Sequence, residues 1–420
     1  MRTAFCRLMQ GGRAQYRLPR LGLFVALALL PVPDCARINA CMRHFRNALL
    51  ISLLLIPHIG RAEIKGYLKH LNSVVVIPER SDWLLSGMVH NRIDANWRCL
   101  SGMQVVLGLR NRLIYGDLVQ LIPQYAQTLE YDPSYWKWSR LFADEHSYVL
   151  NSMIDRAYID YTHKAWQVRF GRQRINWGMN LIWNPNDLFN NYSLMDFDYE
   201  ERPGRDAVLA TWYTGPASYL QAVYQPARSA DESVIVGLYR LNRWGYDLQL
   251  LTGRWVRDWV VGAGWSGQVA GGAFRGEWTW FHPREEKSEN DVWVTSISGD
   301  YTLRNGLYGQ ISILYNSSGK TKAAGSIDFI GEQLLTAKNL TRGRLNGFIQ
   351  LRYPITPLVT ADAAAIYNPF DHSWFFAPSL AFSFIENIDF LLIGQFLTGD
   401  PGSEFGANAS VCYTRLKWSF

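Results

Sequence analysis

Long hydrophobic runs are absent from most of this 420-residue chain. After residue 62, no segment approaches the roughly 18 uninterrupted apolar residues that a membrane-spanning helix needs. An apolar run does occur earlier, at 48–56, but it is too short to cross a bilayer as a helix. Helical membrane spans are therefore excluded over residues 63–420.

Cysteine is also scarce, and histidine is scattered. After residue 41 the cysteines are Cys99, in a predicted turn, and Cys412, in a predicted strand, so we expect no disulfide between them. The histidines stand singly and set no metal-ligand spacing: His70, His90, His163, His282 and His372. No glycine-rich segment precedes a helix as a phosphate-binding loop does. We expect no metal, no cofactor and no enzymatic activity.

An excess of basic charge is absent once the amino-terminal segment is set aside. Residues 1–62 hold nine of the 42 Lys and Arg residues but only one of the 36 acidic residues. The remaining chain therefore has 33 basic and 35 acidic residues, although the whole sequence has a formal charge of +6. This balance does not predict a nucleic-acid partner.

Residues 42–62 have the pattern of a secretory signal peptide. Basic residues precede the apolar run 48–56, and small residues stand at the −3 and −1 positions before a cleavage point after Ala62. We therefore expect cleavage near Ala62, which makes Glu63 the first mature residue. Residues 1–41 are interpreted as a mis-called start or an extra presequence.

Aromatic residues are abundant, with 17 Trp, 22 Tyr and 20 Phe in a chain whose mean hydropathy is −0.11. Trp and Tyr are favoured at membrane interfaces, where one end of the side chain is apolar and the other wet. Over 156–173, apolar and polar residues alternate on both sides of a short polar turn at 162–165. This pattern predicts an antiparallel hairpin with one apolar face.

Eighteen such alternating segments occur in the mature chain. They are 64–76, 83–96, 102–115, 154–162, 165–173, 206–213, 217–225, 233–241, 244–252, 257–267, 271–281, 291–301, 306–315, 344–353, 357–367, 373–384, 388–398 and 408–420. A soluble sandwich or a transmembrane barrel could each use strands of this kind. The links between the strands distinguish the two.

Short links follow every even-numbered segment, whereas the long links 116–153, 174–205 and 316–343 follow odd-numbered ones. Bacterial outer-membrane barrels alternate short periplasmic turns with long extracellular loops in this way. We therefore predict an all-β fold, a transmembrane antiparallel barrel of about 18 strands over 63–420, with 16 strands as the alternative. Both termini would be periplasmic. The barrel would be inserted into the Gram-negative outer membrane by the barrel-assembly machinery and would contact outer-membrane lipid.

Charged side chains on these strands are expected to face the lumen, because an Arg or Lys facing lipid near the midplane costs roughly 2–4 kcal/mol. The pore-lining candidates are Arg92, Arg110, Arg112, Arg156, Asp160, Arg169, Arg275, Glu277, Arg352, Arg415 and Lys417. They could be paired charges that cross-link the wall. Alternatively, the Arg residues on neighbouring strands could form a positive track that selects anions, because the planar guanidinium binds both oxygens of a carboxylate.

The segment after the fifth predicted strand is rich in aromatic and turn-forming residues. So many aromatics in a loop indicate that it folds inward and packs. We name as constriction-loop candidates Arg174, Trp177, Trp183, Asn184 and Asp187.

This same segment resembles a known group of proteins. Gly-Arg-Gln at 171–173, Trp-Gly at 177–178 and Asn-Pro-x-Asp-Leu-Phe at 184–189 are similar to the porin-like outer-membrane barrels that include the alginate-export channels. The resemblance implies eighteen strands and a basic lumen that passes uronate polymers. The last strand, ending in Phe420, also resembles the carboxy-terminal strand of Gram-negative outer-membrane proteins, whose final Phe is an assembly signal.

Several functions remain open from the sequence. We expect a channel for passive passage of polar or anionic solutes, with oligo- or polysaccharide as one candidate, through a lumen narrowed by loops 116–153 and 174–205. A small anionic or saccharide solute would then be its ligand. The alternatives are a closed barrel that acts as an adhesin or structural protein, and an outer-membrane hydrolase.

Overall fold

The computed structural model describes residues 62–78, 83–122, 124–132, 134–191, 204–285, 290–322, 325 and 335–420. The predicted presequence lies outside the described residues, apart from Ala62. Parts of the predicted long links 174–205 and 316–343 also lie outside them.

Nineteen strands occur in the described part of the chain, all in one sheet. They are β1 (Ala62–Val76), β2 (Leu84–Leu100), β3 (Met103–Gly116), β4 (Ser139–Glu145), β5 (Tyr148–His163), β6 (Trp166–Gln173), β7 (Arg205–Gly215), β8 (Ser218–Gln225), β9 (Val234–Arg243), β10 (Tyr246–Trp255), β11 (Asp258–Val269), β12 (Gly272–Pro283), β13 (Val292–Thr302), β14 (Tyr308–Asn316), β15 (Leu345–Thr356), β16 (Val359–Asn368), β17 (Ser373–Ile385), β18 (Ile388–Thr398) and β19 (Ser410–Ser419). Two short helices, α1 (Asp117–Leu121) and α2 (Tyr125–Glu130), follow β3, and a 3₁₀ turn occupies Ala230–Glu232.

Eighteen of these strands close into an antiparallel barrel. Each pairs with its neighbours along the chain, β3 pairs directly with β5, and β1 pairs with β19 to complete the ring. The predicted 18-stranded antiparallel barrel is therefore confirmed. We call the end with the short links the turn end and the opposite end the loop end.

Strand β4 is the additional strand, and it forms the part of the wall that lies beyond the end of β6. One edge of β5 pairs with β6 over 157–163 and with β4 over 148–153. Because β6 stops at Gln173, β4 continues the sheet toward the loop end where β6 no longer reaches.

The predicted link 116–153 differs most from the structure, since it contains α1, α2, β4 and the start of β5. Two bulges explain why the strand segments were missed. The register shifts between Leu141 and Ala143 on β4, and near Asp155 on β5, opposite Gly108 and Leu109. An extra residue in a strand breaks the period of two on which the prediction depended.

The outer face of the barrel is apolar. Large side chains such as Leu250, Ile311 and Phe170 are more than half exposed, at 58%, 63% and 55%. Such a face suits contact with lipid. The residues that alternate with these along each strand point into the barrel. Within the described part of the chain, the two helices are too short to cross a bilayer.

Closure of the ring at the turn end leaves no room for a side chain at residue 66. Gly66 and Phe420 exchange two backbone hydrogen bonds of 2.9 Å, and a Cβ at residue 66 would overlap the Phe420 ring and the Arg92 carbonyl. We expect Gly66→Val to lower the refolding yield, because overpacking costs about 1–3 kcal/mol. Heat-modifiable electrophoretic mobility measures the folded fraction. Gly347→Val is the matched control, since its Cβ meets nothing closer than 4.0 Å; equal yields would contradict the prediction.

Candidate functional site

The segment 174–191, here called the inner loop, packs inside the barrel. Trp177 and Phe189 are 1% and 2% exposed and contact each other edge to face at 5.2 Å. They belong to one apolar cluster with inward-facing wall residues such as Leu251 and Phe281. The inner loop therefore occupies the part of the lumen that lies against the middle strands of the wall.

Side chains of the wall also hold the backbone of the inner loop by hydrogen bonds. Gln249 Nε2 donates to the Trp177 carbonyl at 2.9 Å, and Trp255 Nε1 donates to the Leu188 carbonyl at 2.9 Å. In return, Trp177 Nε1 donates to Gln221 Oε1 at 2.8 Å. These bonds satisfy polar groups that would otherwise be buried without partners.

Glu277 makes the most concentrated contact with the inner loop. Its carboxylate, which is fully buried, accepts hydrogen bonds from the backbone N–H groups of Met179, Asn180 and Asn186, the last two at 2.8 Å. Thr279, two residues along the same strand, donates to Asn186 Oδ1 at 2.7 Å. One carboxylate on β12 thus fixes two separate turns of the inner loop.

The other constriction-loop candidates lie at different depths. Trp183 is 4% exposed and contacts the Phe348 ring edge to face at 6.2 Å. Asn184 and Asp187 are buried, whereas Arg174 is partly exposed. Packing against the wall therefore takes up most of the side chains that we expected to narrow the pore.

The opposite part of the inner face carries the Arg residues of β2, β3, β5 and β6. Arg92 and Arg110 stand directly opposite each other on neighbouring strands. Arg92 donates to Asp94 at 2.7 Å and to Asp155 at 2.6 Å. The two carboxylates offset the repulsion between like charges on paired strands. We call Arg92, Arg110, Arg112, Arg156 and Arg169 the basic wall.

Neutral groups contact two members of the basic wall. Arg110 donates to Met153 Sδ at 3.3 Å. Arg112 donates at 3.4 Å to Asn151 Oδ1 and to the Leu129 carbonyl, which is the point where α2 approaches the wall.

Carboxylates contact two further members. Arg156 lies 3.6 Å from the Asp155 carboxylate and donates to the Asp155 backbone carbonyl at 2.8 Å, and Arg169 forms an ion pair of 2.6 Å with Asp160. Among the described contacts, the basic wall therefore includes both ion pairs with carboxylates and hydrogen bonds to neutral groups.

Pairing with acids also occurs farther round the inner face. Arg352 contacts Asp362 at 2.8 Å, and Arg275 contacts Asp300. Lys417 lies 5.1 Å from the centre of the Tyr67 ring, a cation–π distance. Arg415, two residues earlier on β19, is partly exposed.

Helices α1 and α2 pack on the inner side of β3 and β5 near the loop end. Val119 and Leu129 contact Ile114 and Val149 in a small apolar cluster. Of the link 116–153, the helices lie within the barrel, whereas β4 forms part of its wall.

A second buried network, centred on Arg172, escaped the sequence analysis. Arg172 donates to Asp206 at 2.9 Å and to Asp132 at 2.8 Å, and its exposed fraction is 2%. Asp132 comes from the segment that joins α2 to β4, while Asp206 lies on β7. The motif Gly-Arg-Gln contained the Arg, but nothing local indicated its partners, which are 40 and 34 residues distant in sequence.

Loops at the loop end are joined through Glu404, which precedes β19. Its carboxylate accepts hydrogen bonds of 2.8 Å from the Arg342 N–H and from Asn368 Nδ2. Burial raises the pKa of Glu404, although these donors oppose the shift and nearby Asp371 adds to it. The packed loops therefore disfavour the charged carboxylate relative to an exposed Glu.

We expect the packing around Glu404 to tighten on acidification. A raised pKa contributes stability that is complete below the ordinary pKa of Glu and is lost as the pH rises through the raised value. The protection factors of the amides at 399–408, which are corrected for the base-catalysed change of the intrinsic exchange rate with pH, should rise between pH 7 and pH 5. Glu404→Gln should remove this dependence, and an unchanged pH response in that variant would contradict the assignment to Glu404.

Comparison with known proteins places this fold among solved barrels. No protein-family model matches the sequence, and no curated protein matches it. The fold is similar to Pseudomonas aeruginosa OccK5 (OpdH), with a TM-score of 0.57 and 8% identity over 86% of this chain and 98% of that chain. Acinetobacter baumannii OccAB4 gives 0.55 and 7% over 86% and 99%, and OccAB1 from the same organism gives 0.54 and 10% over 86% and 96%. The resemblance to alginate-export channels stays a prediction. What this chain shares with these structures is the closed 18-stranded barrel.

Proposed function

We propose that this chain is a passive outer-membrane channel for small anionic solutes, with the basic wall as their route. The observation that carries the proposal is the division of the inner face. The inner loop fills the side of the middle strands, and charged side chains gather on β2, β3, β5 and β6 opposite it.

Carboxylates are the anions that suit the basic wall best. A guanidinium offers a planar fork of donors to both carboxylate oxygens. Arg169, whose side chain is 32% exposed, can present that fork to a solute, whereas the buried members of the basic wall act on the solute through their charge. Conduction also requires that no single site hold the solute tightly. The acidic partners weaken the attraction in that sense. Asp94 and Asp155 offset the charges of Arg92 and Arg156, and Asp160 competes with the solute for Arg169.

Saccharides that carry a carboxylate fit the same route. A uronate presents a carboxylate to the basic wall and hydroxyl groups to polar neighbours, whereas an uncharged sugar lacks the first contact. We therefore propose anionic over neutral saccharides, and a polymer of uronates as the longer form of the same ligand.

Planar-bilayer recordings of refolded residues 63–420 test the proposal. We expect discrete conductance steps and, under a KCl gradient, a reversal potential of the sign for preferred chloride passage. Glucuronate should reduce the chloride current at concentrations where glucose does not. Equal effects of the two sugars would reject the anionic route. No current from a barrel shown to be folded by circular dichroism would instead favour a closed barrel that serves as an adhesin or structural protein.

A further inference from the structure

Polar side chains occupy the outer face of the barrel on one side. Through the middle of β7 to β18 the outward positions hold apolar residues and threonine. On four other strands they include the residues that we call the outer polar patch: His70, Asn72, Asn91, Asn111 and Ser152. Of these, His70 and Asn72 are exposed, Asn111 and Ser152 are partly exposed, and Asn91 is covered by its neighbours.

The alternation of the strands places this patch on the outside and near mid-height. Asn91 has the same parity on β2 as Leu85 and Trp97, which are 55% and 43% exposed, and it lies midway between them. Asn111 has the parity of Leu107 on β3, which is 52% exposed. A position midway along the apolar band lies at the depth of the acyl chains rather than of the headgroups.

Three patch residues form a row across neighbouring strands. Asn91 pairs with Asn111, and Asn111 pairs with Ser152. Ser152 Oγ donates to Asn111 Oδ1 at 2.7 Å, Asn111 Nδ2 donates to Asn91 Oδ1 at 3.2 Å, and Asn91 Nδ2 donates to the Tyr67 carbonyl at 3.2 Å. The row thereby satisfies much of its own hydrogen-bonding capacity.

The remaining two residues of the patch retain unused capacity. Asn72 is exposed and makes no hydrogen bond to the described part of the chain. His70 bonds the Tyr115 hydroxyl through Nε2 at 2.9 Å, which leaves its Nδ1 available. Acyl chains can satisfy neither group, and an unsatisfied polar group within hydrocarbon is costly.

A hollow in the outer wall lies beside the patch. Small residues line a depression of about 470 Å³ on β16 to β19, among them Ala363, Pro378, Gly394 and Cys412, with Leu351 and Leu392 at its sides. Strand β19 pairs with β1, so the hollow and the patch form one continuous face.

We propose that copies of this chain associate in the membrane through this face. A second copy sits at the same depth, and Asn and His side chains each act as donor and acceptor, so they can complement the same residue types across a symmetric interface. The hollow accepts bulky side chains of the neighbour. A lipid could fill the hollow but would leave Asn72 unsatisfied, and a soluble partner cannot reach this depth.

Subunit counting in lipid vesicles tests the proposal separately from conductance. Single-molecule photobleaching of the labelled mature chain, over a series of protein-to-lipid ratios, gives the number of copies in each complex. We expect two or more copies for the parent protein. His70→Leu combined with Asn72→Leu should weaken association about tenfold, because it removes two polar side chains from each copy at the interface. Asn72→Gln, which keeps the amide, should retain association.

Thr252→Leu is the matched control, since Thr252 is an exposed outward residue on β10, across the barrel. It should associate like the parent protein. The proposal is overturned by single copies at all ratios, by unchanged association of the His70 and Asn72 double variant, or by equal weakening in the Thr252 control. Circular dichroism establishes that each variant is folded, and the double variant only adds apolar surface toward lipid.

Discussion

A Glu277→Gln variant is expected to conduct several times more current than the parent protein. The carboxylate holds the inner loop through three backbone N–H groups. A neutral amide has one acceptor oxygen, and its NH₂ group would face donors that it cannot bind. Hydrogen bonds to a charged group contribute about 1.5–3 kcal/mol each, so losing one or two releases the loop from the wall in much of the population.

Single-channel recording measures this change directly, as larger steps with more open-channel noise. Asp300→Asn is a suitable control, because Asp300 is another inward carboxylate of the wall and its partner is Arg275 rather than the inner loop. Its conductance should stay close to that of the parent protein. Unaltered steps in Glu277→Gln, in a folded barrel, would show that the inner loop does not depend on this carboxylate.

Replacing Arg110, Arg112 and Arg169 together by Glu is expected to reverse the ion selectivity of the channel. Each substitution changes the inner face by two units of charge, so the basic wall becomes an acidic one. Charges this close to a narrow lumen act through little intervening water, and the potential along the route changes sign. The reversal potential under a KCl gradient should therefore switch from chloride-selective to cation-selective.

Substitution of the same three residues by Gln separates charge from folding. It should bring the selectivity close to neutral without adding acidic groups beside Asp160. Arg257→Glu makes one substitution of the same kind at a site whose side chain is 77% exposed between β10 and β11, and it should shift the reversal potential little. Chloride selectivity that persists in the triple Glu variant would remove the basic wall from the conduction route.

Alternation along each strand made most of this barrel predictable. Because residues i and i+2 of a strand lie on the same face, the apolar and polar faces can be read from one strand alone. The segments from β7 to β19 could therefore be located without knowing which strands they pair with. The alternating link lengths then indicated the ring. Where a bulge adds a residue, as beside Asp155, this local signal fails, and β4 and the beginning of β5 were lost in a long link.

The roles of individual charges were less predictable, because they depend on contacts between distant parts of the chain. The alternation along β12 predicts that Glu277 lines the pore. Its carboxylate oxygens instead accept hydrogen bonds from backbone N–H groups that are 91 to 98 residues away in sequence. Arg172 stands in a noticed motif, yet Asp132 and Asp206 come from other elements. Spacing along one strand carries no information about such partners.

Because β6 ends early, the position of the inner loop and the closure of the barrel wall depend on the same residues. At Gln173 the chain leaves the barrel wall and enters the lumen as the inner loop. Without β4, the wall beyond the end of β6 would be open to the acyl chains. Arg172 lies at that junction. It binds Asp132, in the segment that leads into β4, and Asp206, on β7. Shortening the segment from α1 to β4 would therefore create a lateral opening rather than a wider mouth.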